Sequence, residues 1–329
     1  MPTKVEISHK TIIFTVALLV ALWFLFQIRE IVFLLFISFI IMSGLRPIVD
    51  GLTKLHVPRI LSIIFIYGFV FGLLGTVLAG TIPSLVTQTT KLASELPKIT
   101  ERISPYWQVD DQWIAQQVAP IGENVVRVSV GIFSNVITVI TVLVFTFYFL
   151  LERKHTETIL MNISGAQAAT RVLHVVQAVE DRLSAWVFGQ LFLMVFIGLC
   201  VYGGLFLLHI EYALPLAILA GLLEIVPTIG PLISAVPAII IAFAISPLLS
   251  LSVAALYFVL NQVENTLVVP MIMKKSVGLS PLITIVSLMV GGKLAGVIGV
   301  VLAVPSVLVL QEVTRAFLSS PAQKALKEK

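Results

Sequence analysis

The sequence predicts an all-α polytopic membrane protein with about eight hydrophobic elements, each long enough to enter a bilayer. Two of them, in the second half, are expected to be broken-helix or re-entrant hairpins, and amphipathic helices lie between the spans. Three observations support this. Of the 329 residues, 58% are hydrophobic and 12% charged, with a mean hydropathy of +1.07; a soluble domain has about half its residues apolar and about a quarter charged. The charges vanish for whole spans and return in clusters, which an unusually apolar soluble protein does not do. Glycine and proline also gather in the middle of two long apolar stretches of the second half. Unpaired peptide groups are too costly in hydrocarbon for irregular lipid-facing backbone, so the spans must be helices.

Apolar runs at about 11–28, 31–49, 60–82 and 130–151 meet the length of about 20 residues needed for a crossing. The first follows Lys4 and Lys10 and resembles a signal peptide. It lacks a small-residue cleavage pattern, and Arg29-Glu30 leads at once into the next run, so it reads as a retained first helix followed by a tight turn. Residues 83–129 are divided by Pro83, Pro97, Pro105 and Pro120 and carry four Lys or Arg against five Asp or Glu. They are too polar to span and predict short amphipathic helices. Within 152–184, Val172, Val176, Val179 and Leu183 recur at helical spacing beside Arg171, Glu180, Asp181 and Arg182, an amphipathic pattern. Further apolar runs cover 185–209, ending at His209-Ile210-Glu211, and 249–263.

The chain therefore divides into three N-terminal spans (1–82), an extracytoplasmic amphipathic segment (83–129) and a fourth span (130–151). A cytoplasmic amphipathic segment (152–184), a transport region (185–317) and a cytoplasmic tail (318–329) follow. Basic residues near span ends favour the cytoplasmic side. If the spans alternate, Lys4, Lys10, Arg46, Lys54, Arg59, Arg153, Lys154, Lys274 and Lys275 fall on one side, with Lys324, Lys327 and Lys329 agreeing. Both termini are thus expected in the cytoplasm. The net charge of +4 reads as this topological bias rather than as a nucleic-acid footprint.

Two stretches depart from ordinary spans. Leu214 to Phe243 is interrupted by Glu224-Ile225-Val226-Pro227-Thr228-Ile229-Gly230-Pro231. Its arms fall short of a full crossing at about 1.5 Å per residue. Proline lacks an amide donor and glycine permits unusual backbone angles, which predicts a hairpin near 211–246 that enters and leaves on one side. A second hairpin is expected near 280–312, centred on Gly291-Gly292-Lys293-Leu294-Ala295-Gly296, with Gly299 and Pro305 on its second arm. Paired broken helices let transporters present free backbone groups to a solute near the midplane. The alternative is a pair of continuous helices kinked by the same residues.

Polar residues within the apolar core supply the transport or coupling candidates: Glu224, Asn261, Gln262, Glu264, Asn265 and Lys293. A charge in hydrocarbon needs a partner, water or protonation. Glu224, just before the first tip, has the strongest claim, because a carboxyl out of water favours its neutral form and can exchange a proton; bracing the hairpin is its structural alternative. Glu264 lies nearer Lys274 and Lys275. Lys293 either pairs with a carboxylate, attracts an anion or snorkels to water. Pro227, Gly230, Pro231, Gly291, Gly292 and Gly296 are the candidates for tips and exposed backbone groups. Gln190 reads as an interhelical hydrogen-bond donor, His209 and Glu211 as interfacial, and the single cysteine, Cys200, as a small apolar side chain.

No phosphate-binding Gly-rich loop with its Lys and Ser/Thr is present, and no histidine-rich grouping has metal-ligand spacing. No Asp pair or Ser/His set suits proteolysis within the membrane. Neither an enzyme nor a cofactor is expected, and energy must come from an ion gradient, a solute gradient or a partner.

At this point the second-half pattern resembles the autoinducer-2 exporter family of PerM-like permeases. The resemblance is carried by Glu224, Pro227, Gly230, Pro231 and Pro237, then Gln262, Glu264, Asn265, Pro270 and Leu279-Ser280-Pro281. It continues through Gly291-Gly292, Gly296, Gly299 and Pro305, while Arg46-Pro47, Asp50, Leu52 and Pro58-Arg59 match in the first half. The resemblance implies a multispan permease of the bacterial inner membrane that assembles as a homo-oligomer, a pentamer whose protomers have separate routes with an elevator-like motion. It further implies export of a small polar solute such as autoinducer-2, or sodium or lithium exchanged for protons. The remaining alternatives are a non-transporting membrane scaffold and, lacking a selectivity-filter repeat, a channel.

Overall fold

The computed structural model describes residues 9–73, 75–76, 79, 83, 87, 136–227, 229–273 and 278–318. Most of the amphipathic segment expected at 83–129 lies outside them, as do Lys4, Lys274, Lys275 and the tail from 319. Every described element is helical: α1 (His9–Gln27), α2 (Arg29–Lys54), α3 (Arg59–Leu73), α4 (Val136–Ser164), α5 (Ala166–Leu207), α6 (Ala213–Leu223), α7 (Ile229–Ile245), α8 (Pro247–Val263), α9 (Val269–Met273) and α10 (Pro281–Leu318). Four helices are long and apolar enough to cross a membrane, over Arg29–Lys54, Ala166–Leu207, Pro247–Ile272 and Leu282–Ala316, and shorter apolar helices accompany them. The chain is an all-α, multi-pass membrane protein.

One junction differs from expectation. Ile28 alone separates α1 from α2; its N–H donates to the Phe24 carbonyl at 3.0 Å, and the Val32 N–H donates to its carbonyl at 3.1 Å. Helical hydrogen bonding thus continues through the junction, giving a bend where a tight turn was expected at Arg29-Glu30. A pair of charged residues marks a helix interruption without dictating that the chain reverse.

The helices α2, α3 and α4 are joined by polar side chains that bond to backbone, a strong solution where water is absent. Ser38 Oγ donates to the Val142 carbonyl at 3.1 Å, and Thr146 Oγ1 donates to the Ser38 carbonyl at 3.3 Å, tying α2 to α4 in both directions. Tyr67 Oη donates to the Leu143 carbonyl at 2.9 Å, and Arg59 Nε to that of Leu150 at 2.7 Å. Met42, Val49, Ile63, Ile66 and Leu150 fill the core between α2, α3 and α4.

The central element is α5. Its 42 residues make a rod of about 63 Å, roughly twice the hydrocarbon thickness. The amphipathic segment expected at 152–184 is split: residues 152–164 continue α4, and the remainder forms one uninterrupted helix with the following span, starting after Gly165 at φ 75°. Along this rod, Val179, Leu183, Trp186 and Leu193 pack with Ile40 of α2 and with Leu302, Val304 and Leu308 of α10. Farther along, Ile197, Val201 and Leu205 pack with α6, α7 and α8. Near the charged end, Arg46 Nη1 meets Glu180 Oε2 at 2.6 Å and Asp181 Oδ1 at 3.2 Å, while Arg182 Nε meets Glu312 Oε1 at 2.6 Å. Three consecutive residues of α5 therefore grip α2 on one side and α10 on the other.

The α7–α8 connection is a single residue, Ser246, whose side chain accepts from the Leu249 N–H at 3.1 Å ahead of Pro247. This is a proper helix start, since proline in the first turn removes a donor that has no partner there. In α10, Ala295 (φ −142°, ψ 20°) and Gly296 (φ 58°, ψ −138°) leave helical geometry. A Cβ built on Gly291 would strike the Gly299 carbonyl and approach Ala303 Cβ at 3.3 Å. In a straight helix, residues 291 and 303 would stand about 18 Å apart. The chain therefore folds back, with arms 281–294 and 297–318, and Leu282–Ala316 is not the length of one pass.

Two outcomes follow. Arg46→Met leaves the Glu180 carboxylate, 3% exposed, without its cation, and should destabilise the protein by about 3 kcal/mol, seen as a lower melting temperature in detergent. Gly299→Val places a branched side chain against the Gly291 carbonyl; most of the variant should be lost from the monodisperse peak in size-exclusion chromatography, whereas Gly75→Val, with open space around it, should elute as wild type.

Candidate functional site

The turn between α6 and α7 is built so that its own backbone is largely satisfied. Glu224 N–H donates to the Ala220 carbonyl at 3.1 Å, Val226 N–H to that of Leu223 at 3.0 Å, and Gly230 N–H to that of Val226 at 2.9 Å. Gly230 lies so close to the Leu223 carbonyl that any Cβ would collide with it. Pro231 is buried in the first turn of α7, Pro227 is half-buried, and Ser234 Oγ donates to the Pro231 carbonyl at 3.0 Å. The Glu224 carbonyl is met from across the interface: Gln190 Nε2 of α5 donates to it at 2.5 Å.

Glu264 comes from the other side. It opens a π-helical turn, Glu264–Val268, in which the Val269 N–H reaches back to the Glu264 carbonyl. Such a turn inserts an extra residue and shifts the faces on either side of it, a distortion common at functional sites. Both carboxyl groups are buried, with Glu224 0% and Glu264 2% exposed. Their side chains are within hydrogen-bonding reach of each other.

As two carboxylates the pair would have no proton between them and would repel, and Glu224 Oε1, Oε2 and Glu264 Oε2 make no hydrogen bond among the described residues. With one shared proton, or with a cation, the contact becomes favourable. Gln190 Oε1 and Tyr257 Oη are likewise buried without a hydrogen bond. Tyr257 precedes Glu264 by seven residues on α8, two turns back on the same face. The site is thus a buried concentration of oxygen atoms at the tip of one broken helix, faced by a distorted one.

Its depth can be measured from the charged end. Gln190 lies eight residues along α5 from Arg182, about 12 Å. In the other direction, nineteen residues, about 28 Å, separate it from His209. Gln190 and the Glu224 carbonyl it holds therefore lie along the apolar part of α5, nearer its charged end.

The other candidates fall elsewhere. Asn265 Nδ2 donates to the Asn261 carbonyl at 2.9 Å and to its Oδ1 at 3.0 Å; Asn265 and Gln262 are exposed and Asn261 half-buried. Gly291, Gly292 and Gly296 belong to the fold of α10, where the first two sit against the returning arm and the third supplies the positive φ. Lys293 is exposed and makes no ion pair among the described residues. Reading from sequence assigns Gln190 only a donor's role and misses the burial of Glu180, whose neighbours read as one polar face. The signal for Gln190 was there: a lone amide inside an apolar span. Among the described residues, no group of three His, Cys, Asp or Glu is placed to hold a metal ion.

The sequence profile described as AI-2E family transporter matches residues 12–319. The Bacillus subtilis protein named "Putative transport protein YueF" is 28% identical over 306 residues, covering 86% of this chain and 83% of its own. YrrI of the same organism, with the same description, is 27% identical over 90% of both chains. A Haemophilus influenzae protein so described is 26% identical over 92% of this chain and 91% of its own.

The carboxyl contact predicts a difference between two substitutions. Glu264→Gln supplies an N–H to Glu224 and should melt at or above the wild-type temperature. Glu264→Leu leaves the buried Glu224 carboxyl without a polar neighbour on α8 and should cost about 1–3 kcal/mol in thermal unfolding.

Proposed function

The chain belongs to the AI-2E transporter family, and from that premise we propose that it is a secondary transporter exporting a small polar solute such as autoinducer-2 from the cytoplasm. In this reading the protein sits in the bacterial inner membrane with both termini cytoplasmic. The α6–α7 and α10 segments are its two re-entrant hairpins, and Glu224 and Glu264 carry the coupling. The observation that carries it is the pair of buried carboxyl groups at a helix break, since such groups in a membrane mark ion or proton routes.

Several features support the assignment of parts. The helices α2, α3 and α4 are bound to one another by hydrogen bonds through backbone carbonyls and suit a fixed scaffold. The region from 185 onward contains both folded-back segments and suits the moving part. The arms α6, with 11 residues, α7, with 17, and 281–294 cover about 17, 26 and 21 Å, less than the hydrocarbon core of about 30 Å, which favours re-entry over complete crossing for them. Assembly as a homo-oligomer, a pentamer by the resemblance, is part of this proposal, as is exposure of Asn261, Gln262 and Asn265 to a neighbouring protomer or to the solute's path.

A second reading, exchange of sodium or lithium for protons, is favoured by the same carboxyl contact, which a proton or a monovalent cation stabilises equally well. Liposomes separate the two. With wild-type protein, uptake of labelled autoinducer-2 insensitive to sodium is expected for the exporter, and sodium- or lithium-dependent proton movement for the antiporter. In either case Glu224→Gln should lower the rate at least about tenfold, or about 1.4 kcal/mol. Flat traces for every solute with wild-type protein would leave the scaffold reading standing.

A further inference from the structure

We propose that Gln190 is part of the solute site, holding the α6–α7 tip through Nε2 and offering Oε1 to a ligand that brings hydrogen-bond donors or positive charge. The proposal rests on the reading of Glu224 and Glu264 as the working pair and specifies what that pair accepts.

The orientation of the amide is decided by its partner. Nε2 lies 2.5 Å from the Glu224 carbonyl oxygen, a contact that only the N–H end can make; the reverse orientation would set two acceptors against each other. Oε1 is therefore the other end, in a residue that is 3% exposed, and it makes no hydrogen bond among the described residues. An amide used only as a brace between helices would be expected to place both ends on protein groups, because a buried acceptor without a donor costs about 1–3 kcal/mol. Here one end is bonded to the very residue whose carboxyl lies in the site, while the other end is left to something else.

The chemistry of the neighbours identifies that something by class. Among the described residues, the carboxyl oxygens Glu224 Oε1 and Oε2 and Glu264 Oε2 are also buried without a hydrogen bond, as is the Tyr257 hydroxyl two turns back along α8. Carboxylates accept and do not donate. Adding Gln190 Oε1 makes a lining of acceptors drawn from α5, the α6–α7 turn and the start of the π-helical turn. A phosphate or carboxylate ligand would meet only repulsion there. A hydroxylated neutral solute or a monovalent cation would be held, and these two sources share the required property of satisfying oxygen acceptors.

Gln190 is accessible to the ligand only if the hairpin tip is correctly placed, so it acts both in positioning and in specificity. Gln190→Leu removes tether and acceptor at similar volume. Gln190→Glu is isosteric; ionised, it loses the N–H that tethers the Glu224 carbonyl and adds negative charge beside the acceptors.

The experiment uses the full chain in liposomes, with labelled autoinducer-2 as the hydroxylated probe and sodium chloride with an internal pH dye as the cationic one. For the probe the wild type moves, Gln190→Leu is expected to raise the half-saturating concentration at least tenfold while the maximal rate changes less than threefold, a split that a general loss of packing would not produce. Gln190→Glu distinguishes the sources: it should lower the half-saturating sodium concentration if the ligand is a cation, and should raise that for a neutral hydroxylated solute at least tenfold, because the tether to the Glu224 carbonyl is lost. If Gln190→Leu fails to elute as wild type on size exclusion, the isosteric Glu variant carries the test with competition: excess inorganic phosphate should not inhibit wild type or variant. Unchanged half-saturation in both variants, with Glu224→Gln still inactive, would overturn the role of Gln190 and leave the carboxyl pair intact. Strong inhibition by phosphate would overturn the acceptor lining. A wild type that moves neither probe overturns the transport reading and this proposal together.

Discussion

A peptide group left without a hydrogen bond in hydrocarbon costs several kcal/mol, and this one constraint shapes the whole chain. It requires every described lipid-embedded element to be helical. It also decides where a helix can stop. The α6–α7 break is possible because local bonds from Glu224, Val226 and Gly230 occupy most of the turn, and because Gln190 reaches over from α5 to the Glu224 carbonyl. Without an adjacent wall of protein the same sequence would have no means of ending a helix at that depth.

That wall is α5. Its length lets one helix serve two neighbourhoods, the N-terminal spans and α10 near its charged end and the α6–α7 pair farther along. The ion pairs of Glu180 and Arg182 fix its rotation as well as its position, since residues two apart on a helix point in different directions. Rotation matters for the site: turning α5 by one residue would carry the Gln190 amide away from the hairpin tip. Charge pairs about 12–15 Å distant along the rod thus set the geometry of groups they never touch.

Much of this was legible in the sequence, and the reasons for the rest are physical. Glu224 stood out because a carboxylate between apolar flanks needs a partner or a proton, whether it works or braces, and Pro227, Gly230 and Pro231 announced the break beside it. The partnership of Glu224 with Glu264 was not readable, since forty residues separate them and a one-dimensional pattern carries no distance. The π-helical turn at Glu264 is invisible for a related reason: its extra residue looks like any other in an apolar run. Glu180 illustrates the opposite error. Its sequence neighbours Asp181 and Arg182 suggested a solvated face, yet it is buried because Arg46, over a hundred residues earlier, folds against it. The bend at Ile28 was obscured by two charges that resembled a turn.

The fold of α10 brings Gly291 and Gly299 together so that each one's carbonyl occupies the space a side chain on the other would need. Neither position can acquire a methyl group without displacing the opposite backbone, and a compensating change at the partner is unavailable because glycine is already the smallest residue. The two sites are therefore frozen as a unit under mutational drift. A lineage inherits this crossing of backbones unaltered or loses the folded segment of α10 altogether.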